Sequence, residues 1–171
     1  MTARTTLVLA WLTLACVTAV PAGAADPQRE IHGMADAYAR PGVALAWAIL
    51  RGANEAGTVV VVRIVADPAL YPIIAATGSN PFSQRSAPLL RATPTAGGVD
   101  LRVARAHFAD FPRTELRLYA SADAAQSDTS PMVVYYLGVP DTTPEFATEA
   151  NLEAYLADRI VRVRSAGSKA P

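Results

Sequence analysis

The segments VALAWAI (residues 43–49) and TVVVVRIV (residues 58–65) decide the fold of this 171-residue chain. In the first segment large apolar side chains alternate with alanine, and the second is a β-branched run broken only by Arg63. Alternation with a period of two and β-branched residues are both typical of strands. The polar residues 51–57 between them contain two glycines, which predicts a hairpin connection.

The hairpin has two alternative registers, because a slip of one residue turns a whole strand over. In the first, Trp47 lies opposite Val60 and Arg63 falls on an alanine-lined outer face. The second places the guanidinium of Arg63 beside Leu45 and Trp47, where an unpaired charge is costly. We therefore predict the first register.

Further strands are predicted on both sides of a proline-rich region. Residues 71–77 form a predicted strand, and Pro72 near its start indicates an edge position, because proline cannot donate to a ladder. Residues 78–98 contain three prolines and predict loops around a weak strand at 89–92. The last predicted strand covers 132–139.

A second hairpin is predicted from the pattern of charges. If residues 99–103 pair antiparallel with 114–118, Asp100 meets Arg117 and Arg102 meets Glu115. Opposite charges then share one face of the ribbon while apolar residues share the other, so two criteria select one register.

Helices are predicted only at the two ends of the mature chain. Residues 26–40 predict a short helix, in which Asp26 caps the first turn and Pro27 follows it. Residues 148–164 predict a second helix, capped by Thr148. Its apolar positions recur at helical spacing and need a surface to cover: Leu152, Tyr155, Leu156, Ile160 and Val163.

The fold class follows from these elements. About seven strands separated by proline and glycine turns predict a mainly β protein, an antiparallel sandwich of immunoglobulin-like architecture. The C-terminal helix is expected to pack across one face or edge of it. We expect one domain over residues 25–165 and a flexible tail at 166–171.

Residues 1–24 have the order of regions found in a secretory signal peptide. Arg4 precedes an apolar run from Leu7 to Val20, and small residues follow Pro21. We therefore expect a periplasmic or secreted protein. Two alternatives stay open: a retained membrane anchor, and a lipoprotein tethered through Cys16, because Leu14-Ala15-Cys16 resembles the end of a bacterial lipobox.

The composition and the absence of known motifs disfavour several functions. The formal net charge is zero, which gives no global attraction to nucleic acid. The sequence has one cysteine, no nucleophile elbow and no glycine-rich phosphate loop. Its two histidines, His32 and His107, have no second metal ligand at helical or strand spacing. We predict no catalytic residues, no cofactor and no metal.

One recognition feature remains in the sequence. Two groups of cations are candidate contacts for an anionic partner: Arg105, His107 and Arg113 around the second predicted hairpin, and Arg159, Arg162 and Arg164 in the last turns of the helix. We expect a non-catalytic accessory or binding module of the bacterial cell envelope, with an envelope protein as its partner. The alternatives are a lipid-tethered assembly component and a small periplasmic hydrolase or isomerase.

Overall fold

The computed structural model describes residues 28–32 and 37–167 of the chain. Within these ranges it contains ten strands and three α-helices. The strands are β1 (Gln28–His32), β2 (Ala37–Arg40), β3 (Val43–Leu50), β4 (Val59–Ala66), β5 (Ile73–Asn80), β6 (Arg85–Ala92), β7 (Val99–Ala104), β8 (Arg113–Tyr119), β9 (Val133–Leu137) and β10 (Glu145–Phe146). The helices are α1 (His107–Asp110), α2 (Ala122–Gln126) and α3 (Glu149–Gly167).

The strands form two sheets. Sheet A has the order β1-β9-β8-β5-β6, and sheet B has the order β10-β3-β4-β7, with β2 also paired to β3. All pairs are antiparallel except β1 with β9 and β10 with β3. The prediction of a mainly β protein with two antiparallel sheets and a C-terminal helix is therefore confirmed, with ten described strands instead of about seven.

The core lies between the inner faces of the sheets. Large side chains of β3 and β4, among them Leu45, Trp47 and Ile64, meet Leu116 and Tyr135 of sheet A. A second apolar cluster lies on the opposite face of sheet B, which the helix α3 covers. There the alanines of β3 contact the predicted apolar stripe of the helix, and each of these residues is at least nine-tenths buried: Ala44, Ala46, Ala48, Leu152, Leu156 and Ile160.

The predicted register of the β3–β4 hairpin is wrong by two residues. Trp47 pairs with Val62, and Leu50 pairs with Val59. The connection is longer than predicted, because Asn54 caps a 3-10 turn at Glu55–Gly57 and accepts a hydrogen bond from the Gly57 amide at 2.9 Å. A shift of two keeps every side chain on its predicted face, so Arg63 does share the alanine face, which α3 covers.

The predicted helix at residues 26–40 is wrong. The described part of this segment forms β1 and β2, which pair with β9 and β3 at the margins of the two sheets. Pairing with exposed strand edges satisfies more backbone groups than an isolated short helix would. Tyr38 of β2 also reaches the core, where its ring meets that of Tyr135 at 5.5 Å between centroids.

The prediction of an edge strand at Pro72 is wrong. Strand β5 begins after this proline and lies between β6 and β8 near the middle of sheet A. Pro72 therefore removes no hydrogen bond from the ladder. The edge strand is β6, which contains Pro88 next to a register shift opposite Ala76 and Thr77.

The predicted second hairpin is also wrong, although both of its strands exist. Strand β7 pairs with β4 in sheet B, while β8 pairs with β5 and β9 in sheet A. Asp100 therefore faces Arg63 and not Arg117. The charges of β7 and β8 are paired within two different sheets, so complementary charge alone did not identify the partner strand.

The predicted C-terminal helix is present and ends at Gly167, so Ala166 belongs to it rather than to the predicted tail. The predicted signal peptide at 1–24, with the lipobox-like Cys16, and the last four residues lie outside the described residues. No helix in the described part of the chain combines the length and hydropathy needed to cross a membrane.

Candidate functional site

The face of sheet A that points away from sheet B carries a chain of ionisable residues, from buried Glu115 to the mostly exposed Asp128. Arg113 and Arg117 both donate to the carboxylate of Glu115, at 2.5 and 2.9 Å between Nε and carboxylate oxygen. Arg117 also donates to Asp128 at 2.5 Å, and the hydroxyl of Tyr119 donates to the same carboxylate. We call these five residues the Glu115 network. Alternation along β8 places four of them on one face, and the loop after α2 supplies Asp128.

The electrostatics of the Glu115 network oppose proton transfer near neutral pH. Burial alone would raise the pKa of Glu115, but hydrogen bonds from Arg117 and Arg113 hold it below its ordinary value. The pKa of Asp128 is lowered because hydrogen bonds from Arg117 and Tyr119 outweigh its burial. Burial and the bond to Asp128 raise the pKa of Tyr119 to about 12. A general acid or base works best with a pKa near the operating pH, so the network is suited to holding the sheet together.

His107 lies in α1, wedged between strand β5 and Phe111. Its ring stacks on Phe111 at 4.6 Å between centroids, and its Nε2 atom is buried without a hydrogen-bond partner among the described residues. Gly78 makes this approach feasible, because a Cβ there would lie 2.4 Å from Nε2. Burial lowers the pKa of His107, against the opposing field of Asp110, so the imidazole is neutral at pH 7.

The structure separates the two predicted groups of cations to opposite ends of the molecule. Ala104 pairs with Val59 at one end of sheet B, whereas the other end, where Val43 pairs with Ala66, lies beside the last turn of α3. We call these the hairpin end, which also holds the β5–β6 connection, and the helix end. Arg105, His107 and Arg113 lie at the hairpin end.

Most of these cations already have a partner. Arg105 donates to Glu145 at 3.1 Å, and Arg51 donates to the same carboxylate at 2.7 Å. Arg113 is held by Glu115, and its guanidinium also lies 5.5 Å from the Tyr136 ring. On α3, Arg162 pairs with Asp158 at 2.7 Å, Arg159 has an interaction of its own, and Arg164 lines a cavity. Their contact with an anionic partner stays a prediction.

The residue that sequence reasoning missed is Phe82. It lies in the β5–β6 connection, residues 81–84, which we call the hairpin tip, and 92% of its surface is exposed. The amides of Phe82 and Ser83 donate to Asn80 Oδ1 at 3.0 and 3.2 Å, and Asn80 Nδ2 donates to the Asp110 carbonyl at 2.8 Å. Asn-Pro-Phe-Ser flanked by two strands carries the turn signal, but sequence alone does not show that the aromatic ring points outward.

Two cavities lie near the predicted cations and the Glu115 network. The larger, about 720 Å³, lies at the helix end and has Asp67 as its only carboxylate. The smaller, about 190 Å³, adjoins the Glu115 network and contains Asp128. Neither brings His107 together with carboxylates, and the described ranges contain no cluster of three or more His, Cys, Asp or Glu arranged to hold a metal ion.

Comparison with protein-family models, with curated proteins and with solved structures finds no match to this chain.

Proposed function

We propose that this protein is an exported, non-catalytic binding module of the bacterial cell envelope that contacts a protein partner through its hairpin end. An immunoglobulin-like arrangement of the two sheets is part of this proposal. The single observation that carries it is the exposed ring of Phe82 on a hydrogen-bonded hairpin tip. Because β5 lies between β8 and β6, a partner strand cannot add beside Pro72, and the hairpin tip is the contact that we propose.

The hairpin tip is built to lose little entropy on binding. Asn80 ties the tip to itself and to α1 through three hydrogen bonds, so the ring of Phe82 is presented on an ordered backbone. Pre-organisation of this kind raises affinity because fewer rotations are lost when the partner docks. Full burial of a phenylalanine side chain contributes about 1.5–3 kcal/mol, which is the scale of an interface anchor.

Charge next to the hairpin tip indicates the chemistry of the partner. Arg85, the first residue of β6, lies over the Phe111 ring at 5.4 Å and makes no ion pair with any described residue. Aromatic residues and arginine are the types enriched at the centre of protein interfaces. The pair Phe82 and Arg85 fits a partner surface with an apolar pocket rimmed by carboxylates.

The state of the ionisable groups supports a role without acid–base chemistry. The carboxylates of Glu115 and Asp128 are held charged by arginine, and Tyr119 is held protonated. His107 is neutral at pH 7, but its buried Nε2 faces Gly78 and has no hydrogen-bond partner among the described residues. An arrangement of paired charges stabilises a scaffold and leaves recognition to the exposed ring.

Capture from envelope extracts tests the contact. The full chain and a Phe82→Ser variant are used as baits, with Val161→Ser as control, because Val161 is 64% exposed on α3 far from the tip. We expect one protein to bind the wild type and the control and to be lost with Phe82→Ser. Equal retention by all three baits, or no retained protein, would contradict the proposal.

Export is tested separately by the intact mass of the protein purified from its native compartment. Loss of about residues 1–24 is expected for a secreted module. A diacylglycerol-modified Cys16 would instead make it a lipid-tethered component, with the same hairpin end available for binding.

A further inference from the structure

A large cavity lies at the helix end, away from the proposed partner contact. It opens between the last turn of α3 and the face of sheet B that the helix covers, and its volume is about 720 Å³. Ala44 and Val65, which pair across β3 and β4, are part of its lining. We call it the helix-end cavity. Its volume falls within the range of about 300–1,000 Å³ that small-molecule sites occupy.

Small side chains and a tight turn create this space. Alanine occupies positions 39, 44, 66 and 96 of the lining. The turn between β2 and β3 bends at Gly42, whose φ of +78° favours glycine and where a Cβ would meet Leu70 at 2.9 Å. The cavity is thus a feature of the backbone and of short side chains, and does not depend on one rotamer.

The charges that line the helix-end cavity are unequal. Arg40 and Arg164 both contribute to its lining, against one carboxylate, Asp67. Asp67 is engaged in its own turn, where its Oδ1 accepts from the Ala69 amide at 2.9 Å. Arg164 makes no ion pair within the described part of the chain and is exposed, so its guanidinium is available to an incoming anion.

We propose that the helix-end cavity binds an amphipathic anion, an acyl chain carrying a carboxylate or phosphate head group. The apolar chain would lie against Ala44 and Val65, and Arg164 would pair with the head group. Neither an uncharged lipid nor a free anion satisfies both parts of the lining. This inference concerns the opposite end of the molecule from Phe82 and is independent of the proposed function.

Titration calorimetry of the full-length mature protein with dodecanoate, below its micelle concentration, tests the proposal. One saturable site is expected. Arg164→Gln should weaken binding about tenfold, because a charge-assisted hydrogen bond is lost. Arg162→Gln is the matched control: it removes the same charge from the same helix, but Arg162 pairs with Asp158 and does not line the cavity. It should change affinity less than twofold.

Two further measurements separate the parts of the ligand. Ala96→Trp, at an exposed loop position in the lining, should fill the cavity and abolish binding without touching the core. Dodecanol and inorganic phosphate should each bind at least tenfold more weakly than dodecanoate, and dodecyl phosphate should match it. The proposal is overturned by the absence of a saturable dodecanoate site, by dodecanol binding equally well, or by affinity that neither Arg164→Gln nor Ala96→Trp changes.

Discussion

The two sheets of this protein cover their outer faces in different ways. Sheet B offers alanine at alternate positions of β3, and the helix α3 packs directly on them with Leu152 and Leu156. Sheet A offers long charged residues at the equivalent positions of β8, and these cover the face themselves by pairing through Glu115. The short side chains of β3 allow the long helix α3 to lie directly on the sheet, whereas the short helix α2 reaches sheet A beside the paired charges of β8.

The two outer faces also differ in the sign of the charge that they bury. On sheet B, Arg63 is the only arginine of β4 and lies under the helix. Its Nη2 atom is 2.7 Å from a carboxylate oxygen of Asp100 and 2.9 Å from one of Glu153, and these ion pairs offset the cost of burying the charge. On sheet A the carboxylate of Glu115 is the most buried charge, and arginines surround it. On sheet B apolar contact with α3 is supported by ion pairs, and on sheet A the ion pairs of β8 lie beside buried Val134 and Tyr119.

The largest effect is expected from the apolar contact on sheet B. Leu156→Ala removes a fully buried side chain between α3 and the alanines of β3, and should lower the free energy of unfolding by about 3 kcal/mol. Urea denaturation measures it. Val161→Ala, on the exposed side of the same helix, is the control and should stay within about 0.5 kcal/mol. Similar losses in both variants would show that α3 contributes through helix propensity and not through packing.

A smaller loss is expected when the central charge of sheet A is removed. Glu115→Gln leaves Arg113 and Arg117 facing each other without a carboxylate between them. Because these arginines are 47% and 23% exposed, water screens the repulsion, and we expect about 1–2 kcal/mol. The measurement is the same denaturation, with Glu55→Gln in the exposed 3-10 turn as control. An unchanged midpoint would mean that the Glu115 network does not stabilise the sheet.

The sequence predicted the faces of this protein better than its pairings. Alternation in β3 and in α3 identifies the buried positions, because burial depends on the local period of the chain. The partner of each strand depends on which distant edge is free, and the charge pattern of β7 and β8 was satisfied by Arg63 and Glu115 in separate sheets. Charge matching between neighbours in sequence therefore misled.

The candidate sites show the same limit. The turn around Asn80 could be predicted from its residue types, but the exposure of Phe82 depends on where α1 and β6 lie in space. The helix-end cavity joins Arg40 to Arg164, which are far apart in the chain. Arg164 was predicted as an anion contact from its place in the last helical turn, and the structure adds the apolar lining that narrows the chemistry of a ligand.

The two arginines of sheet B that form ion pairs with α3 should contribute unequally to the stability of the protein. Arg63 is 14% exposed and binds Asp100 with two parallel hydrogen bonds. Its second partner, Glu153, is 43% exposed, so water weakens that ion pair. We expect Arg63→Met to lower the free energy of unfolding by about 1 kcal/mol. Arg102 is 42% exposed and pairs with Glu149, so Arg102→Met should lower the free energy of unfolding by only about 0.3 kcal/mol. Equal losses, measured by denaturation in low and high salt, would contradict the ranking by burial.

The smallest effect on stability is expected from Asp128, and it should depend on pH. Asp128 is more than half exposed, so Asp128→Asn should cost only about 0.5 kcal/mol at pH 7, because screening weakens its bond to Arg117. Hydrogen bonds from Arg117 and Tyr119 hold the folded-state pKa of Asp128 below the ordinary value of 3.8, so its contribution is complete above that value and is lost as the pH falls through the lowered one. The stability difference between wild type and Asp128→Asn should therefore be constant from pH 7 to about 5 and vanish in stronger acid, while Asp141→Asn, at an exposed position, follows the wild type. A difference that grows on acidification would mean that the aspartate is protonated in the folded protein, and that the loop after α2 is held to sheet A by contacts other than this ion pair.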